Sequence, residues 1–263
     1  HLIEKYNITD VYFNKDYEPY ALSRDKSIQK MLDSKDISSH IFKDQVIFEE
    51  LEITKDDKSP YTVFTPYKKK WLQNFNPSCL SSVLEHKPKH FYKGNTSFPS
   101  LNSIGFKPSL IKIPPFDLSV VEDYKKLRDF PSIKGTSQLS THLRFGTVSI
   151  RNIIQNLNVE SVFLSELIWR EFFMQILYNF PNVVSSNFKA KYNQIQWRNN
   201  PTEFKAWCEG KTGYPIVDAG MRELNETGLM HNRVRMITAG FLCKHLLIDW
   251  RWGEAYFASK LLD

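Results

Sequence analysis

The spacing of apolar and polar positions changes character twice along the chain. In the first sixty residues it is mixed: Asp10–Asn14 (DVYFN) is a short apolar run suited to a buried strand. Ala21–Leu32 places apolar residues at helical spacing, and two short β-like stretches follow around Ile41–Phe42 and Val46–Phe48. Residues 76–116 carry no period and are rich in Pro, Ser, Lys and Asn, with Pro77, Pro88, Pro99, Pro108, Pro114 and Pro115. Such a stretch reads as a long connection. From Asp117 onward the pattern is helical, with helices predicted over 117–128, 138–145, 149–157, 160–179, 202–209, 216–227, 231–248 and 252–262. Pro131, Pro181, Pro201 and Pro215 punctuate them. The expected architecture is therefore an α/β remnant over 1–75, a linker over 76–116 and a larger all-α domain over 117–263. One to three strands cannot make a self-sufficient doubly wound parallel sheet. Together with a start at His1 and an end at Asp263 inside a helical pattern, this makes a piece lacking both ends the expectation.

Composition narrows the picture only slightly. A chain of 263 residues can bury a sizeable core. Its net charge of +6 biases it mildly toward polyanions, although a plain basic protein would look the same. Cys79, Cys208 and Cys243 lie far apart, with no CxxC pair and no His at metal spacing, which argues against zinc and against a disulfide framework. No apolar run approaches the ~20 residues of a membrane span, and no signal peptide opens the chain. A reducing, cytoplasmic setting is the expectation.

Four constellations could carry chemistry. Gly135-Thr136-Ser137-Gln138-Leu139-Ser140 leads into a predicted helix; a glycine turn, hydroxyls and helix N-terminal amides could cradle phosphate, and an ordinary N-cap looks the same. Glu166, Trp169, Arg170 and Phe173 fall on neighbouring helical positions, combining an acid, a stacking surface and a guanidinium as a nucleobase pocket requires. A half-buried helix with an i, i+4 ion pair has that pattern too. In His231–Met236 (HNRVRM), Asn232 and Met236 share a face flanked by Arg233 and Arg235, which suits a base or ring edge and phosphates, or two solvated arginines. Trp197, Trp207, Trp250 and Trp252 could relay electrons or simply fill cores.

Read together, these stretches closely resemble the photolyase/cryptochrome family. The resemblance is carried by Val11–Asp25, Tyr61–Trp71, Tyr124, Gly135–Gly146 (GTSQLSTHLRFG), Glu166–Phe173 (ELIWREFF), Gly210–Asp218 (GKTGYPIVD), His231–Met236 and Leu246–Trp250 (LLIDW), in family order. It implies an α/β antenna domain, a linker and a helical domain that holds FAD and binds DNA. The implied function is light-driven repair of cyclobutane pyrimidine dimers by electron transfer from reduced FAD, a carbon–carbon lyase reaction. A cryptochrome-like flavin photoreceptor without repair is the alternative. Carried over by position, Tyr124, Thr136, Ser137, Leu139, Ser140, Asn232, Arg235 and Asp263 would hold the flavin, the last two as an ion pair. Glu166, Trp169, Asn232 and Met236 would line the dimer pocket, Arg170 and Arg233 would meet DNA phosphates, and Trp197 and Trp250 would relay electrons.

The Asn232/Met236 pair stands where relatives that repair (6-4) photoproducts place two histidines, so the resemblance favours bacterial-type cyclobutane-dimer members. Leu229 and Phe163 replace frequent tryptophans. Pro19-Tyr20 is not the Asn-Glu of folate-antenna relatives, so an antenna of folate or deazaflavin type stays unassigned. The expected partner is dimer-containing DNA, with no metal and no membrane, and the expected state is a monomer. The family continues past the position of Asp263 with further flavin contacts, so this piece alone is expected to bind FAD poorly and to be inactive.

Overall fold

A computed structural model describes residues 1–80, 91–92, 94 and 97–263. Most of the expected linker falls within this range, but the part at 81–90, 93, 95 and 96 lies outside the described residues. Two compact units emerge. The first joins His1–Ser81, Val121–Lys125 and Phe145–Gln196; the second joins Ser82–Val120, Lys126–Arg144 and Trp197–Asp263. These packing units cross the sequence division at 117, because residues 145–196 pack with the N-terminal part of the chain.

The first unit begins with α1 (Leu2–Tyr6), β1 (Asp10–Asn14), α2 (Pro19–Asp33) and β2 (Ser38–Phe42). Pro19 at the first turn of α2 costs nothing, since its missing N–H would be unbonded there anyway. β1 and β2 pair in parallel, from Asp10 opposite Ser38 to Asn14 opposite Phe42, with α2 as the crossover. These two strands form the only sheet among the described residues. Val46–Phe48 does not form the expected strand: the segment is buried but irregular. Its amides are satisfied by a side chain instead of a neighbouring strand. Ile47 N–H donates to Glu171 Oε2 at 2.7 Å, and Phe48 N–H to Glu171 Oε1 at 3.2 Å.

Helix α3 (Phe64–Asn74) follows, then α4 (Tyr124–Leu127), α5 (Ser140–Arg144), α6 (Ile150–Gln155) and the long α7 (Val162–Asn179). The expected helix over 117–128 is a 3-10 turn at Ser119–Val121 and the single turn of α4. Asp117 Oδ1 accepts from Ser119 N–H at 2.8 Å, a capping-type bond, yet the turn that follows does not run on into α4. α7 is capped by Ser161, whose hydroxyl accepts from Leu164 N–H. Its buried stripe runs through Leu164, Leu167, Ile168, Glu171, Phe172 and Gln175.

In the second unit α8 (Pro201–Cys208), α9 (Pro215–Thr227), α10 (Asn232–Lys244) and α11 (Trp250–Lys260) build one core. Its centre is Trp207, Met221, Leu224, Phe241, Leu242 and Ile248, all buried. Close approach is needed at Gly253, where a Cβ would lie 2.4 Å from Leu242 Cδ2, and at Gly220, where it would lie 2.3 Å from Val234 Cγ1. Asp218 organises the turn before α9, accepting from the amides of Thr212 and Gly213 and from the Thr212 hydroxyl. No described helix is long and apolar enough to cross a membrane.

Candidate flavin and nucleic-acid site

In the first unit the candidate residues ride on α7, whose rotation is set from its buried side. Glu171 is buried there among four donors: the amides of Ile47 and Phe48, Trp71 Nε1–H at 2.7 Å and Tyr67 O–H at 3.3 Å. Burial pushes its carboxyl up to about 7, although all four donors favour the charged form. Gln175 extends the same seam, its Nε2 donating to Glu49 O at 2.8 Å. Sequence reasoning missed Glu171, yet the signal was present. It is a charged residue on the apolar stripe Leu164–Ile168–Glu171–Gln175, at spacings of four, three and four.

The other side of α7 carries Glu166, Trp169, Arg170 and Phe173. Glu166 and Trp169 are half-buried, and Phe173 is 60% exposed. Phe64 of α3 stacks on Trp169 with ring centroids 3.7 Å apart and planes 9° from parallel. Phe173 lies 5.3 Å from Trp169 at 23°. The indole is thus held by stacking against α3, a role of Phe64 that its spacing did not reveal. Arg170 Nη1 donates to Gln45 O at 2.6 Å, tying α7 to the irregular segment. Tyr124 also belongs to this unit, where its ring meets Phe163 edge-on at 5.1 Å.

The second unit holds the remaining candidates. Around Thr136–Ser140, Ser137 and Leu139 are buried while Ser140 is exposed. Ser137 O accepts from Asp117 N–H at 2.8 Å, and Gln138 adopts a left-handed φ of 54°. Leu139 is buried as a whole residue, its carbonyl accepting from Leu143 N–H at 3.0 Å. On α10, Asn232 and Met236 are both exposed, Met236 by 58%. His231 caps this helix, Nδ1 accepting from Arg233 N–H at 3.2 Å. Arg233 Nε donates to Asp129 Oδ1 at 2.8 Å. Arg235 Nη2 donates to Asp263 Oδ2 at 2.9 Å, and Arg235 Nε to Met230 O at 2.8 Å. The arginine is thereby fixed between the turn before its own helix and the segment after α11.

Beside that pair lies a cavity of about 490 Å³ with mostly apolar walls, lined in part by Trp207, Leu242, Trp250, Phe257, Leu261 and Asp263. Two buried polar atoms of this lining, Trp250 Nε1 and Asp263 Oδ1, make no hydrogen bond among the described residues. A large apolar cavity with a few unspent polar atoms suits a flat aromatic ligand carrying its own donors and acceptors. Trp197 and Trp250 are both half-buried, and their chain segments run together. Arg198 N–H donates to Leu247 O at 2.8 Å, and Asp249 N–H to Asn199 Oδ1 at 2.8 Å. Trp207 is instead fully buried in the core, its Nε1–H donating to Thr238 O. No cluster of metal-ligating side chains occurs among the described residues.

A parallel βαβ unit in one part of the chain and a helical core with an aromatic-lined cavity in another make an α/β-plus-helical protein with room for a ligand, and comparison with known proteins makes the class specific. The family model of the FAD binding domain of DNA photolyase matches residues 163–263, and the DNA photolyase model matches residues 1–89. The deoxyribodipyrimidine photo-lyase of Vibrio cholerae is 38% identical over 100% of this chain and 61% of its own length. That of Escherichia coli is 37% identical over 98% of this chain and 59% of its own length. Among solved structures, a bacterial class III photolyase from Agrobacterium tumefaciens superposes with a TM-score of 0.81 at 32% identity, covering 100% of this chain and 60% of its own. An archaeal photolyase from Sulfolobus tokodaii, solved with two FAD molecules, gives 0.79 at 33%, again over 100% and 60%. The chain belongs to the photolyase/cryptochrome family. It spans about three fifths of the length of the curated relatives it matches.

Proposed function

We propose that the protein repairs cyclobutane pyrimidine dimers in DNA with light, as a carbon–carbon lyase that uses FAD. The observation that carries this reading is the state of the dimer-pocket set. Glu166 and Trp169 are kept together on the outer side of α7 by a buried anchor on its inner side, while Asn232 and Met236 stand exposed on one face of α10. A dimer must leave the duplex stack to be reached, and its weakened stacking makes that less costly.

The residues present fit a flavin. The cavity beside Arg235–Asp263 is apolar, and its unspent Trp250 Nε1 and Asp263 Oδ1 call for a ligand with an acceptor and a donor. Arg235, Asp263 and Asn232 would hold the ring system, with Tyr124, Thr136, Ser137, Leu139 and Ser140 on the phosphate and adenylate side. FAD, bound and reduced, would supply the light-driven one-electron chemistry for opening the cyclobutane ring. The protein's own part is positional. Trp169 offers a stacking surface whose tilt is set by Phe64. Glu166 would accept from a pyrimidine N–H and so fix the base's orientation. Arg170 and Arg233 bind phosphates, and Trp197 and Trp250 form a route for electrons from the surface. We assign residues 1–75 to the antenna domain, 76–116 to the linker and 117–263 to the FAD- and DNA-binding domain, in a monomeric cytoplasmic protein. The antenna chromophore is left open between folate and deazaflavin types.

The decisive experiment is loss of thymine dimers from an oligonucleotide treated with the full-length parent protein and reduced FAD, in blue light and in darkness. Repair in light alone supports the lyase, and Glu166→Ala is then expected to lower repair while FAD absorbance persists. Flavin binding with no repair would move the assignment to a photoreceptor.

A further inference from the structure

One ion pair has no role in the assignments above. Arg233 occupies the first turn of α10, where the positive end of the helix dipole disfavours a cation, and no acidic residue lies in that turn to offset it. The compensating charge comes from Asp129, in the turn after α4, whose Oδ1 is 2.8 Å from Arg233 Nε and 3.6 Å from Arg128 Nε. Both partners are well exposed, Arg233 by 40% and Asp129 by 50%, so the pair does little for stability.

What the pair does control is geometry. A guanidinium can present two N–H groups side by side to a phosphate. Asp129 takes the Nε–H and leaves the two Nη groups uncommitted. Nη1 lies 3.4 Å from Met236 Sδ, a weak acceptor, and Nη2 makes no hydrogen bond among the described residues. Of the two guanidinium edges that carry paired N–H groups, Asp129 takes the one at Nε and leaves the Nη1/Nη2 edge. An acid that holds the stem and leaves that edge open is a brace. We propose that Asp129 is a positioning residue for phosphate recognition, fixing Arg233 beside Met236 with its Nη edge presented to the DNA backbone. This rests on the assignment of Arg233 to DNA phosphates, and it extends that assignment to the residue that orients it.

The test uses the full-length, FAD-loaded protein and a dimer-containing duplex, with affinity measured by fluorescence anisotropy over a series of salt concentrations. Asp129→Ala should weaken binding about fivefold while keeping the salt slope, since no phosphate contact is removed. Asp129→Asn, which retains the acceptor for Nε–H, should restore binding to near the unaltered value. Arg233→Ala should weaken binding and also lower the salt slope by about one, as loss of one phosphate contact requires. Unchanged or tighter binding by Asp129→Ala would overturn the brace, the latter making Asp129 a competitor. So would an equal loss in Asp129→Asn. If Arg233→Ala leaves affinity and slope alone, the DNA assignment of Arg233 fails, and the brace fails with it.

Discussion

The two packing units use polar atoms in opposite ways. In the first, a carboxylate lies at the centre and is surrounded by partners: Glu171 gathers the Ile47 and Phe48 amides, the Trp71 indole and the Tyr67 hydroxyl. In the second, the centre is aromatic and aliphatic around Trp207, and two of the buried polar atoms without a partner among the described residues belong to Trp250 and Asp263 of the cavity wall. A satisfied buried acid specifies one arrangement of the segments around it, because any other would leave donors or charge unpartnered. Unsatisfied atoms lining a cavity do the reverse and point to something that completes them. The first unit therefore fixes the presentation of Glu166 and Trp169, whereas the second keeps room for a ligand.

That contrast can be broken at three points. The largest effect is expected for Trp207→Ala, which removes the fully buried ring at the heart of the second unit. A loss of about 4 kcal/mol is expected from cavity formation, read from the denaturant midpoint. Glu171→Ala should cost about 3 kcal/mol by leaving its donors unpartnered, and it should also release Trp169 from its stack. Tryptophan fluorescence would report that release, and an unshifted spectrum would show that α7 is held by other means.

The third effect is on pH dependence, and it is smaller. The Glu171 carboxyl is raised by burial to about 7, above its unfolded value, so the native state retains a proton that the unfolded chain has already released. Its contribution is present below the unfolded value near 4.5 and is lost as pH rises through about 7. Between pH 5 and pH 8 the unaltered protein should lose about 2 kcal/mol relative to Glu171→Gln, which cannot titrate. Parallel stability profiles for the two proteins would mean that the four donors hold the acid ionised throughout.

Much of this was legible from periodicity. The helices that became α2, α7, α8, α9 and α10 follow directly from the spacing of their buried residues; the strand at Asp10–Asn14 also forms, but none of its residues is buried as the apolar run suggested. Two readings failed, and in one of them a side chain took the place of backbone partners. Val46–Phe48 looks like a strand in isolation, but its amides are claimed by Glu171, a residue no local window connects to it. The helix expected over 117–128 is interrupted between Ser119–Val121 and Tyr124–Leu127, although Asp117 accepts from Ser119 N–H as a capping residue does. At the candidate site, motifs pointed to the groups that would meet a ligand and missed the groups that orient them. Phe64, Asp129, Glu171 and the capping His231 act through another side chain or a helix end, so their roles depend on distances that a one-dimensional pattern does not contain.

The Glu171 cluster also has a consequence for the order of folding events. Its carboxylate meets an amide 124 residues earlier in the chain, whereas β1, α2 and β2 complete a parallel pair within residues 10–42. The short-range unit can assemble at small loop-closure cost, but the carboxylate finds its partners only after a very long loop has closed. Its stabilisation should accordingly be absent from the folding transition state and fully present in the native basin. Glu171→Gln is then expected to speed unfolding while leaving the refolding rate nearly unchanged, with a φ-value near zero. The side chain that orients α7 would thus act as a late latch, setting how long the folded first unit lasts and contributing little to how fast it forms.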